Sequence, residues 1–132
     1  MKQARRVTLA VCLALLAAGC ILHRGRPRDL PPPQYAALAG VWENPETQDR
    51  HTIRWERGRY TVASVESSGG ERYVVTDVQW LDGVLRWGYR LPTTHYLITL
   101  RTRRVTPTAL ELDWADSDGN TRDETLRRVR GR

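Results

Sequence analysis

Chemistry has few places to start in this chain. Cys20 is the first: its thiol follows three small residues, Ala17-Ala18-Gly19, and is the only good nucleophile in that stretch. Small side chains let a processing enzyme approach the backbone, so the pattern suits modification of the thiol and cleavage just before it. His51 and His95 stand near expected strand starts, and neither has Cys, His or carboxylate neighbours at zinc-ligand spacing. Ser64, Ser67, Ser68 and Ser117 lack the strand–turn–helix setting that exposes a nucleophilic serine. Asp116-Ser117-Asp118-Gly119-Asn120 offers oxygen donors to a cation. The flanking positions that should complete such a loop are Trp114 and Thr125, however, so a hairpin turn explains the segment better. The chain therefore reads as non-enzymatic, with no metal and no cofactor expected.

The element that positions Cys20 is the N-terminal segment. Lys2, Arg5 and Arg6 precede the apolar run Val7–Ala18, and no acidic residue occurs before Asp29. Charge, apolar core and small residues, in that order, make a secretory signal peptide. The run is shorter than the ~20 residues a helix needs to cross a bilayer. Leu16-Ala17-Ala18-Gly19-Cys20 resembles the lipobox of bacterial lipoproteins, with Ala17 where that family prefers Leu. The resemblance implies that residues 1–19 are removed and that Cys20 becomes the lipidated first residue, carrying three acyl chains. Each buried methylene contributes ~0.8 kcal/mol, and two or more chains anchor a protein stably. Ile21 stands in place of the Asp that favours inner-membrane retention in enteric bacteria, so the expected address is the outer membrane of the cell envelope. Arg5-Arg6 lacks the Phe and Leu that follow in twin-arginine signals and reads as charge alone.

Composition agrees with export. The only other cysteine, Cys12, lies inside the signal, so an acylated Cys20 leaves the mature chain without a disulfide or a cysteine metal site. Removing Lys2, Arg5 and Arg6 lowers the 21 basic residues to 18, against 15 acidic ones, and the net charge from +6 to +3. The arginines are spread along strands opposite acidic residues, which argues against nucleic acid as a partner. Residues 20–34 read as a tether. Pro27, Pro31, Pro32 and Pro33 favour extended polyproline at ~3.1 Å per residue, and Arg24, Arg26 and Arg28 can lie against anionic headgroups.

From residue 35 to 132 the sequence reads as one all-β domain, because apolar alternation recurs between turn signals. A single helical turn, Tyr35 to Ala39, leads to a first strand at Gly40-Val41-Trp42-Glu43. Ile53 and Trp55 share a face in the second strand, Tyr60 and Val62 in the third, and Val74, Val78 and Trp80 in the fourth. Asp82-Gly83 is a two-residue hairpin signal. Leu85, Trp87, Tyr89 and Leu91 then alternate with Arg86, Gly88 and Arg90. Tyr96, Ile98 and Leu100 follow, then Leu110, Leu112 and Trp114, and a last strand spans Thr121 to Val129. Eight sequential antiparallel strands with one apolar face, and no amphipathic helix to cover it, predict an up-and-down barrel, with a β-sandwich as the alternative.

Leu38-Ala39-Gly40-Val41-Trp42 resembles the Gly-X-Trp first strand of lipocalins and related calycin barrels. That resemblance implies structural roles for Gly40 and Trp42 at a closed end, with an arginine from the last strand, Arg127 or Arg128, covering the indole. It also implies a small apolar or amphipathic ligand, for which the inward bulky residues Trp55, Tyr60, Trp80, Trp87, Tyr89 and Tyr96 are the candidate lining. A second function class is a solid barrel, acting as a structural, assembly or inhibitory lipoprotein through protein contacts. Outward Arg86, Arg90, Arg101 and Arg103 would then offer a basic strip to an acidic partner. Either way the expectation is a monomer held to the membrane through Cys20.

Overall fold

A computed structural model describes residues 30–131. The expected signal peptide, Cys20 and the expected tether up to residue 29 lie outside the described residues. A 3₁₀ turn, Pro33–Leu38, begins with proline at its first positions, where a missing N–H costs nothing. It replaces the helical turn expected over Tyr35–Ala39.

Eight strands follow: β1 (Gly40–Glu43), β2 (Arg50–Glu56), β3 (Arg59–Glu66), β4 (Val74–Leu81), β5 (Val84–Arg90), β6 (Leu97–Val105), β7 (Ala109–Asp116) and β8 (Thr121–Arg128). They form one antiparallel sheet in the order β3-β2-β1-β8-β7-β6-β5-β4. Pairing of β1 with β8 curls the meander into a nearly closed barrel, consistent with a calycin-like fold. The seam lies between β3 and β4. It is bridged only at one end, where Glu66 pairs with Arg72 and the Tyr73 N–H donates to the Val65 carbonyl at 2.9 Å.

Two tight turns follow directly from sequence. Asp82 and Gly83 have φ of 51° and 77°, and Arg57 and Gly58 have 53° and 78°. Positive φ at both central residues is the hairpin geometry that matches strand twist. Gly83 also gives room: the Tyr35 hydroxyl occupies the place its Cβ would take.

Bulges break the strict alternation. In β4 the pairing passes from Thr76↔Gly88 to Gln79↔Arg86, leaving an extra residue at Asp77, whose φ is 51°. The inward set is therefore Tyr73, Val75, Val78 and Trp80. Val74, expected to share a face with Val78, is displaced from it by that extra residue. In the same way, Ala63 is extra in β3 and Arg103 in β6, so Val65 and Val105 turn inward.

The core is continuous along the barrel axis. Trp42, Trp87, Tyr60, Ile53, Leu85, Leu100, Leu110, Leu112 and Leu126 are fully buried. Burying a side chain of this size is worth ~1.5–3 kcal/mol. One end carries the 3₁₀ turn and the hairpins at 57–58, 82–83 and 106–108; the other carries the loops 44–49, 67–73, 91–96 and 117–120.

Candidate functional site

At the end carrying the 3₁₀ turn, the chain meets its own polar needs. The Trp42 indole N–H donates to the Leu38 carbonyl at 2.9 Å. The Arg128 guanidinium lies over the Trp42 ring, 4.3 Å from its centroid. It also donates to the carbonyls of Ala39 at 2.9 Å, Pro107 at 2.7 Å, and Ala37. Gly40 makes this approach possible: its φ is 145°, and a Cβ there would overlap Arg128. Arg127 does not share this role. Strand alternation turns it to the outer face, where it is exposed opposite Glu43.

Of the six aromatic residues expected to line a pocket, Trp55, Tyr60, Trp80, Trp87 and Tyr89 lie in or against the core and Tyr96 does not. Trp87 and Tyr60 are fully buried in the core, and Tyr89 is 5% exposed. Trp55, Tyr60, Trp80 and Tyr35 pack edge-to-face across the β3–β4 seam, with centroids 4.8 Å apart for Trp55–Tyr60, 4.9 Å for Tyr60–Trp80 and 5.3 Å for Tyr35–Trp80. The Tyr60 hydroxyl donates to the Tyr35 carbonyl. Tyr96 stands apart, 40% exposed beside the 91–96 loop, with its hydroxyl donating to Asp116 at 2.7 Å. These edge-to-face contacts pack Trp55, Tyr60 and Trp80 on one another at the core.

The loop end is more polar. His51 is buried against Trp87, whose indole N–H donates to Nδ1 at 3.3 Å, so the proton of the neutral ring sits on Nε2. Burial pushes the His51 pKa down to about 3. Asn44 Nδ2 donates to Glu124 Oε1, and Glu124 Oε2 is buried without a partner. Burial raises the Glu124 pKa, and also that of Asp49, which accepts from the Tyr73 hydroxyl at 3.4 Å. None of these four polar residues stood out in sequence except His51. The signal was present for Glu124, since it shares strand parity with inward Leu126.

The Asp116–Asn120 segment is a hairpin turn. Asp116 Oδ1 accepts from the N–H groups of Asp118 at 3.0 Å and Asn120 at 2.9 Å, while Oδ2 takes the Asn120 side chain and Tyr96. The Asn120 side chain, first among these donors, holds the Asp116 pKa at about 2. Among the described residues no group of three His, Cys, Asp or Glu side chains converges as a metal site would. His95 is exposed in the 91–96 loop.

A large concavity lies on the outer wall. A cleft of about 710 Å³ runs over β4–β8, with Leu81, Val84, Arg86, Thr99, Arg101 and Asp113 among its lining. A second, of about 410 Å³, adjoins it through shared Gln79 and Arg86. The expected basic strip is smaller here than alternation suggested. Arg103 is neutralised by Asp123 at 3.0 Å and Asp113 at 3.5 Å, and Arg90 turns to the carbonyls of Leu91, Pro92 and Thr94. Arg101 shares Asp113 at 3.6 Å, and Arg86, directly opposite Arg101 across β5 and β6, has no carboxylate within ion-pair distance among the described residues.

Compared with known protein families, characterised proteins and solved structures, the chain gives no significant match to any of them.

Proposed function

We propose that this chain is a non-enzymatic lipoprotein of the cell envelope whose solid barrel acts through contacts of its outer wall with another protein. Residues 1–19 are the signal peptide, and Cys20 carries the lipid and opens the tether that runs to residue 34. Residues 35–132 are the working domain, monomeric and held near the outer membrane. The single observation that carries this reading is a contrast of inside and outside. Trp55, Tyr60 and Trp80, which would have lined a ligand cavity, are packed on one another, while a concavity of about 710 Å³ lies on the outer wall around Arg86. A buried cavity is where a small ligand gains most of its affinity; an open cleft suits a protein segment.

The anchor has its own test. Cys20→Ser leaves an exported protein that is unprocessed or soluble; unchanged membrane fractionation and lipid labelling would refute lipidation at this thiol. For the surface role, a photo-crosslinking amino acid is placed in the producing cell at Val84 or at Thr99 in the cleft, and at Arg54 on the opposite wall as a control. The reading predicts protein adducts at the cleft positions and none at Arg54. Adducts of equal yield at all three positions, or at none, would refute it.

A further inference from the structure

One arginine of the outer wall, Arg86, faces a like charge and makes no ion pair among the described residues. Elsewhere on that wall the strand register sets arginine near carboxylate: Arg50 meets Glu43 at 2.7 Å, Arg72 meets Glu66 at 3.2 Å, and Arg104 meets Glu111 at 2.8 Å. On β5 and β6 the register instead sets Arg86 directly against Arg101, both exposed. Like charges opposite one another on an antiparallel pair are destabilising. The nearest carboxylate in the same row, Asp113, is engaged by Arg101 at 3.6 Å and Arg103 at 3.5 Å. Arg86 has no carboxylate within ion-pair distance among the described residues.

We infer that this cleft is the docking site for an extended segment of a partner protein, whose one central carboxylate lies between the guanidinium groups of Arg86 and Arg101. The inference rests on the outer-wall reading and gives that reading a partner chemistry. A guanidinium presents a planar fork of donors that matches a carboxylate, and a carboxylate between two of them turns their repulsion into attraction. Beside them Leu81 is 58% exposed, next to half-buried Val84, at the rim of the same cleft. An apolar residue adjoining the acidic one would cover that rim. The two clefts join at Gln79 and Arg86, so the depression is longer than a single side chain needs and suits an extended backbone.

The other charges of the lining narrow the partner further. Asp82, Asp113 and Asp123 face the cleft with Arg86, Arg101 and Arg122. The lining as a whole is balanced, and Arg86 and Arg101 are the like-charged cross-strand pair of arginines within it. A run of acidic residues would meet Asp82, Asp113 and Asp123, whereas one Asp or Glu flanked by neutral or apolar residues brings a single negative charge to the arginine pair. The same balance disfavours an anionic bilayer, which is flat and reads net charge rather than a local pair.

The test uses the full chain in mild detergent, immobilised and challenged with a random-peptide display library. Enriched peptides should carry a single Asp or Glu next to an aliphatic residue. Their affinity should fall about tenfold or more with Arg86→Gln and with Arg101→Gln, as loss of a charged hydrogen-bond pair implies, and stay unchanged with Arg54→Gln. Thermal melts guard against misfolding, since Arg86→Gln removes a like-charge repulsion and should not lower the melting temperature. Phosphatidylglycerol vesicles form the second arm. Arg86-dependent vesicle binding without peptide binding would overturn the inference in favour of a membrane contact. Peptides that dock in the cleft without a carboxylate would also overturn it while leaving the outer-wall reading intact. If no peptide docks there, both fall.

Discussion

Arg128 and Arg86 are the same side chain in two regions of one sheet, and the chain treats them differently. At the end with the 3₁₀ turn, Arg128 finds three backbone carbonyls and the face of Trp42. In the outer cleft, Arg86 finds another arginine. The first region is closed in every chemical sense: its donors have acceptors, and its glycine has given up a side chain to admit the guanidinium. The second is open, and what it lacks is an anion. A protein pays for an arginine in side-chain entropy wherever it orders one. At Arg128 the ordering is offset by these contacts; Arg86 is exposed and makes no ion pair among the described residues, and on the inference above an ordering contact would come from a partner.

Substitutions should separate the two regions by size of effect. Trp42→Ala removes the fully buried indole from the closed end and should cost ~3–5 kcal/mol in chemical denaturation. A near-neutral result would mean that this end is not the structural one. His51 extends the contrast to the interior through acid titration. Burial holds its folded pKa at about 3, below the ordinary 6.5 of a histidine, so the unfolded chain takes up the proton first. Its contribution is complete above pH 6.5 and is lost as the pH falls from there toward 3, at ~1.4 kcal/mol per unit. His51→Gln should flatten that part of the stability–pH curve; an unchanged slope would show that other groups set it.

Arg128→Gln comes next, at ~1–3 kcal/mol, because the carbonyls of Ala37, Ala39 and Pro107 lose a charged donor. Glu124→Gln works in the opposite direction. Its folded pKa is raised by burial, so the contribution is present at low pH and lost as pH rises through the folded value. The variant should melt higher than the parent at pH 8 and equally at pH 4, by calorimetry. Arg86→Gln should move stability least, within ~0.5 kcal/mol as for a surface site, and not downward. A loss as large as that of Arg128→Gln would erase the difference between the two regions.

Much of the fold was legible because each strand needs only alternation to declare itself. Leu85, Trp87 and Tyr89 against Arg86 and Arg90 specify a half-buried strand, and Asp82-Gly83 specifies its turn. The three bulges were not legible. An extra residue at Ala63, Asp77 or Arg103 leaves composition unchanged and becomes visible only when partners are in register, which is why Val74 was expected on the wrong face. Parity alone distinguished Arg128 from Arg127, once Trp42 was paired with it. The site was harder to read. Sequence placed Arg86 and Arg101 on the outer face, but their direct opposition depends on where the 91–96 loop lets β6 begin. Inward aromatics, similarly, are required both by a ligand cavity and by a filled core. Which of the two they make depends on how Trp55, Tyr60 and Trp80 meet across the seam.

That last distinction is the most direct test of the account. Native mass spectrometry of the full chain, released from its host membrane in mild detergent, should give the mass of the processed protein with acyl groups on Cys20 and nothing more. A further small molecule held in one-to-one ratio after the detergent is stripped would contradict a barrel that is filled by its own side chains and works from the outside.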